Sequence, residues 1–77
     1  MSAIAELSKQ FTQTIIDEVD AYTTYIGFSD SGIATSDLKW VILKISTAGT
    51  ITTFKWAQNY RNSSNSWDQR SSYTYIS

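Results

Sequence analysis

The sequence predicts an all-β domain: a small antiparallel sandwich or curled sheet of four to five strands, with an N-terminal arm or short helix. Three observations lead there. The longest apolar stretch, Trp40-Val41-Ile42-Leu43-Lys44-Ile45, is built mostly of β-branched and aromatic residues, the types that fit a pleated surface. Further runs rich in Thr, Ile, Tyr and Phe recur at short spacing, each bounded by Ser, Asn, Asp or Gly. The 77 residues show no internal repeat, no linker and no proline, so they hold one domain at most. The expected division is an arm over residues 1–10 and a single β domain over residues 11–77.

In residues 1–10, Ser2 can cap a short helix, and Ile4, Leu7 and Phe11 fall on a helical stripe. Continued through Ile15 and Val19, that stripe makes one amphipathic helix. The competing reading breaks near Gln10. The Thr- and Ile-rich run Phe11-Thr12-Gln13-Thr14-Ile15-Ile16 is then a strand, and its β-branched composition favours this choice. Asp17-Glu18-Val19-Asp20 reads as an acidic turn. Tyr22-Thr23-Thr24-Tyr25-Ile26-Gly27-Phe28 reads as the next strand, with Tyr22, Thr24, Ile26 and Phe28 on one face and Thr23 and Tyr25 on the other. Gly27 within it signals a bulge or a close backbone approach.

Residues 29–37 are a loop by composition. The central strand follows, with Trp40 and Ile42 on one face and Val41, Leu43 and Ile45 on the other. A strand apolar on both faces needs cover on both. Ser46-Thr47-Ala48-Gly49 reads as a turn with Gly49 as its left-handed residue, and Thr50-Ile51-Thr52-Thr53-Phe54-Lys55-Trp56 closes a hairpin over residues 39–56. Residues 57–66 form a polar loop with three Asn, a residue that tolerates left-handed backbone. Trp67-Asp68-Gln69-Arg70 then leads into a last strand over residues 71–76.

Composition narrows function. A chain of this size buries only about 60% of its unfolded surface and needs a staple. With no Cys and no His, disulfides and thiolate- or imidazole-based zinc sites are excluded, which leaves association with other chains. The net charge of −1 and the scattered basic residues argue against nucleic-acid binding. No apolar run approaches the ~18 residues of a transmembrane helix, and no signal peptide is expected.

No catalytic constellation stands out. Asp17, Glu18 and Asp20 lack the spacing and glycine of a calcium loop and read as a solvated turn. Ser without a His or an evident Lys base makes no hydrolase, and isolated glycines make no phosphate cradle. No cofactor is expected. Trp40, Ile42, Ile45, Trp56, Trp67, Tyr25 and Tyr75 are expected in the core or at a subunit interface. Ile4, Leu7 and Phe11 are the expected anchor, covering either the domain's own core or a neighbour. Asp68 and Arg70, two apart on an expected strand, are read as a structural pair.

Over roughly residues 12–77 the chain resembles a group of small uncharacterised proteins of tailed bacteriophages and prophages. The residues that carry this are Tyr25-Ile26-Gly27, then Gly32 with Ala34-Thr35-Ser36, then Trp40, Ile42 and Ile45. They continue with Trp56-Ala57-Gln58-Asn59 and with Trp67-Asp68-Gln69-Arg70-Ser71-Ser72-Tyr73-Thr74-Tyr75. Gln58-Asn59 stands where the group has Asp-Gly, Tyr73 stands for Leu, and Ser63 and Ser66 replace an aromatic and an aliphatic residue. The first ten residues lie outside the resemblance. It implies an all-β virion structural protein rather than an enzyme, assembled in the host cytoplasm. Its implied partners are copies of itself or the shell, neck or tail proteins of the particle. The alternative is a receptor- or glycan-binding module using aromatic residues of the 57–67 loop. A third reading is a regulatory or inhibitor protein that binds a host enzyme and behaves as a free monomer.

Overall fold

The computed structural model describes residues 12–76. They form one five-stranded antiparallel sheet in the order β1-β2-β3-β4-β5, each strand beside its neighbour in sequence. The strands are β1 Gln13–Asp20, β2 Thr23–Ser29, β3 Val41–Ala48, β4 Ile51–Ala57 and β5 Tyr75–Ile76. Of the two expected all-β architectures, the sheet is realised and the sandwich is not: the strands make one open layer, not two packed layers and not a closed barrel.

The hairpins follow from local chemistry. Ala48 pairs with Ile51, so Gly49 and Thr50 make a two-residue turn, and Gly49 at φ +62° takes the left-handed place that glycine fills without a Cβ clash. Asp20 pairs with Thr23 across Ala21 and Tyr22, and the Asp20 carboxylate accepts the Tyr22 N–H at 2.7 Å. The register slips between Glu18 and Asp20, a bulge that sets Val19 out of the ladder. Both turns lie at one end of the sheet, tied by the Thr47 N–H to the Tyr22 carbonyl at 2.9 Å.

The β-branched run from Thr12 onward is a strand, as its composition favours, and it extends further than expected. Asp17, Glu18, Val19 and Asp20 belong to β1 and are not a turn. An edge strand with a solvated face accommodates acidic residues that a central strand would exclude. The expected strand over residues 71–76 shrinks to Tyr75–Ile76. Trp67–Gln69 is instead a turn of 3-10 helix, with Arg70 N–H donating to the Trp67 carbonyl at 3.1 Å.

The two faces of β3 lead to two apolar clusters, divided as the alternation of residues 40–45 predicts. Ile26, Phe28, Val41, Leu43 and Trp56 are buried together on one face, with Ile45 packed against them. Tyr25, Trp40, Ile42, Ala57 and Trp67 are buried on the other, joined by Ile15, Ile33, Tyr73 and Tyr75. This second face is covered by the chain itself, through the 30–39 loop and the segment 58–74. The anchoring stripe Ile4, Leu7 and Phe11 lies outside the described residues.

Candidate assembly surface

The segment 58–74 is strapped across the second face by three fastenings. The first is a ring on a glycine. A Cβ at Gly27 would stand 2.5 and 2.8 Å from two carbons of the Trp67 indole and 3.1 Å from Trp40, so only glycine lets the rings lie on β2. Of the two expectations for Gly27, close approach is the one realised. The rings of Trp67 and Trp40 lie 6.1 Å apart, and the Trp40 indole N–H donates to the Ala34 carbonyl at 2.9 Å.

The second fastening is Arg70. The expected pair with Asp68 is not made: residues 67–69 are helical, so Asp68 and Arg70 do not share a strand face. Arg70 reaches back to β1 instead, with one guanidinium nitrogen 2.9 Å and another 3.0 Å from the Asp17 Oδ2. On the way it lies 4.6 Å over the Trp67 ring and donates to the Trp67 carbonyl at 3.1 Å.

The third is Asn65, wholly buried. Its Nδ2 donates to the Trp40 carbonyl at 3.0 Å and the Asn62 carbonyl at 2.7 Å, and its Oδ1 accepts from the Gln58 Nε2 at 2.7 Å. Asn65 and Trp40 also exchange backbone hydrogen bonds, an isolated bridge that extends the ladder past β3. One residue on, the Ser66 hydroxyl and the Asp68 N–H both donate to the Thr35 carbonyl, at 3.1 Å each. Left-handed backbone in this loop falls on Gln58 (φ 65°) and Arg61 (φ 53°), not on the three Asn. The Asn side chains serve as local acceptors instead, Asn59 for the Tyr60 N–H at 2.8 Å and Asn62 for the Ser64 N–H at 2.7 Å.

Tyr75 closes the strap. Its hydroxyl donates to the Arg70 carbonyl at 2.6 Å, its ring lies 5.7 Å from that of Tyr25, and Lys44 Nζ stands 5.5 Å over it. Burial above all, with Tyr25 and Tyr73 adding to it and Arg70 opposing, raises the Tyr75 phenol well above its ordinary value. The Tyr73 hydroxyl accepts the Ser66 N–H at 2.8 Å.

The expected core and interface residues thus split. Trp40, Ile42, Trp67, Tyr25 and Tyr75 lie on the strapped face; Ile45 and Trp56 lie on the other. Among the described residues, no group of three His, Cys, Asp or Glu is placed to hold a metal ion. No described helix is long and apolar enough to cross a membrane.

The opposite face carries the feature that points outward. Ile16 pairs with Ile26, Ile26 with Leu43, Leu43 with Trp56, and Trp56 with Ile76. Paired residues share a face, so these five make one apolar row across every strand of the sheet. Its middle is buried, but its ends are open: Ile16 is 61% exposed and Ile76 39%. In the next row Ile45 pairs with Phe54, itself 37% exposed. Val19, Tyr22 and Ile51 are also exposed, at or beside the turn end of the sheet. Ile16, Phe54 and Ile76 are not among the expected site residues. The signal that could have found them is strand register, since each is ordinary in sequence and informative only when the rows are aligned.

No family model, no curated protein and no solved structure matches this chain.

Proposed function

We propose that this protein is a structural subunit, a small β module that assembles in multiple copies on the capsid, neck or tail of a bacteriophage, as a decoration, head-fibre or tail attachment. It acts by adhesion, not catalysis. The observation that carries the assembling role is the apolar row from Ile16 to Ile76, which runs from edge to edge and ends exposed at both sides. A chain this short gains from burying such ends against another chain. The virion setting, with shell, neck or tail proteins as partners, rests on the sequence resemblance. The glycan-binding alternative is weakened by burial. Of the three rings it would use, Trp56 and Trp67 are buried and only Tyr60 is exposed, packed edge-on to Trp56 at 5.2 Å.

Quantitative mass spectrometry of purified phage particles tests the proposal. The protein is expected at many copies per particle and is retained through a salt wash. Recovery only as free protein, absent from particles, contradicts it.

A further inference from the structure

We infer that the outer edge of β4, over residues 51–55, is where a second copy of this chain adds its own β4, antiparallel about a two-fold axis at Thr53. This rests on the assembling-module reading and names its interface. The two edges of the sheet are built differently. β1 carries Asp17, Glu18 and Asp20 and a bulge, devices that keep edge strands from pairing. On the other side, β5 pairs only with Trp56 and Ala57, so among the described residues 51–55 have no strand beyond them. This stretch is Ile51-Thr52-Thr53-Phe54-Lys55: four strand-forming residues, one cation and no carboxylate. Ile51 and Phe54 within it are exposed.

The occupant is chosen by self-complementarity. About a two-fold axis at Thr53, Thr53 meets Thr53, and Thr52 and Phe54 meet each other twice. Lys55 points toward Ile51 and not toward another Lys, so no like charges are opposed. A two-fold axis normal to the sheet keeps the apolar faces on the same side. Phe54 and Ile76 of both copies, with Ile45 behind, then form one continuous apolar band. β1 fits this place less well. Its bulge interrupts a straight ladder, and its three carboxylates guard it against pairing. Pairing one edge with itself gives a closed dimer, the commonest symmetric assembly.

Sedimentation velocity on the full chain across a concentration series tests this, with Thr53→Lys, Thr53→Glu, their equimolar mixture and Thr14→Lys, at an exposed position of β1, as a control on the opposite edge. Far-UV circular dichroism shows which variants fold. The unmodified chain and Thr14→Lys are expected to move from one-chain to two-chain mass as concentration rises. Each Thr53 variant alone is expected to lose the two-chain species, because like charges face each other on the axis, and the mixture is expected to restore it. On the unmodified chain, amide exchange over residues 51–55 is expected to slow with concentration. If the Thr53 variants associate like the unmodified chain, or exchange there ignores concentration while the mass still rises, the β4 edge is not the interface and the assembling reading stands. A mixture that stays monomeric overturns the two-fold register. An unmodified chain that stays at one-chain mass throughout overturns both.

Discussion

Gly27 and Trp67 show how much of this fold rests on single side chains. The indole occupies the space a Cβ would need, and both Trp67 and Trp40 are buried, so neither ring can move aside freely. Gly27→Ala is expected to destabilise by about 1–3 kcal/mol, as overpacking does, measured by urea unfolding. Gly27→Ala combined with Trp67→Leu is expected to cost less than the sum of the two single changes, since removing the indole removes the clash. Arg70 behaves differently. Its contact with Asp17 is partly exposed, so Asp17→Asn is expected to cost less than about 1 kcal/mol and less still in high salt. Asp68→Asn, which pairs with no cation among the described residues, is expected to change nothing measurable. Tyr75 links the strap to alkaline pH. Its folded-state value lies above the unfolded one, so the neutral phenol stabilises the fold fully below pH ~10. The unfolded chain releases its proton first as pH rises, and stability falls through that range. Tyr75→Phe is expected to flatten this alkaline decline while giving up the hydrogen bond to the Arg70 carbonyl.

At the scale of elements, β3 was the most legible part of the sequence, because residues 40–45 alternate between two apolar faces and each face gathers its own cluster. The β3–β4 hairpin was legible through Gly49, but Ser46, Thr47 and Ala48, expected in its turn, continue β3 and pair with Thr53, Thr52 and Ile51; the loop after β2 was legible through its composition. The acidic end of β1 was not. Asp17-Glu18-Val19-Asp20 looks like a turn until Arg70, 53 residues away, is seen to hold Asp17 in the strand. The last strand was overextended. The backbone keeps turning after residues 67–69, with the Ser72 N–H donating to the Gln69 carbonyl at 2.9 Å, so only Tyr75 and Ile76 reach the ladder. Asn65 carried no signal at all in sequence, one polar residue in a polar loop, yet it joins β3, Gln58 and Asn62. Asn65→Ala is expected to lower stability by about 1–3 kcal/mol by leaving buried groups unpaired, and to open the strap before the sheet. Hydrogen exchange at the Trp40 and Asn65 amides would report that opening ahead of the amides of β2 and β3.

Over residues 12–76 the molecule is a sheet with one face strapped by its own chain and one face crossed by an apolar row whose two end residues are exposed. Composition had pointed to association by elimination, since Cys and His are absent and the chain is short. The register adds where the exposed apolar residues collect: Ile16 at one edge, and Phe54 and Ile76 at the other. Edge charge then separates a guarded strand, β1, from an unguarded one, β4. The central claim is that this chain completes its burial by joining other chains. The most direct test is the mass of the full chain at sedimentation equilibrium over a wide concentration range. A mass rising from 8.7 kDa to at least twice that value is the predicted result. A mass of 8.7 kDa at every concentration would contradict it.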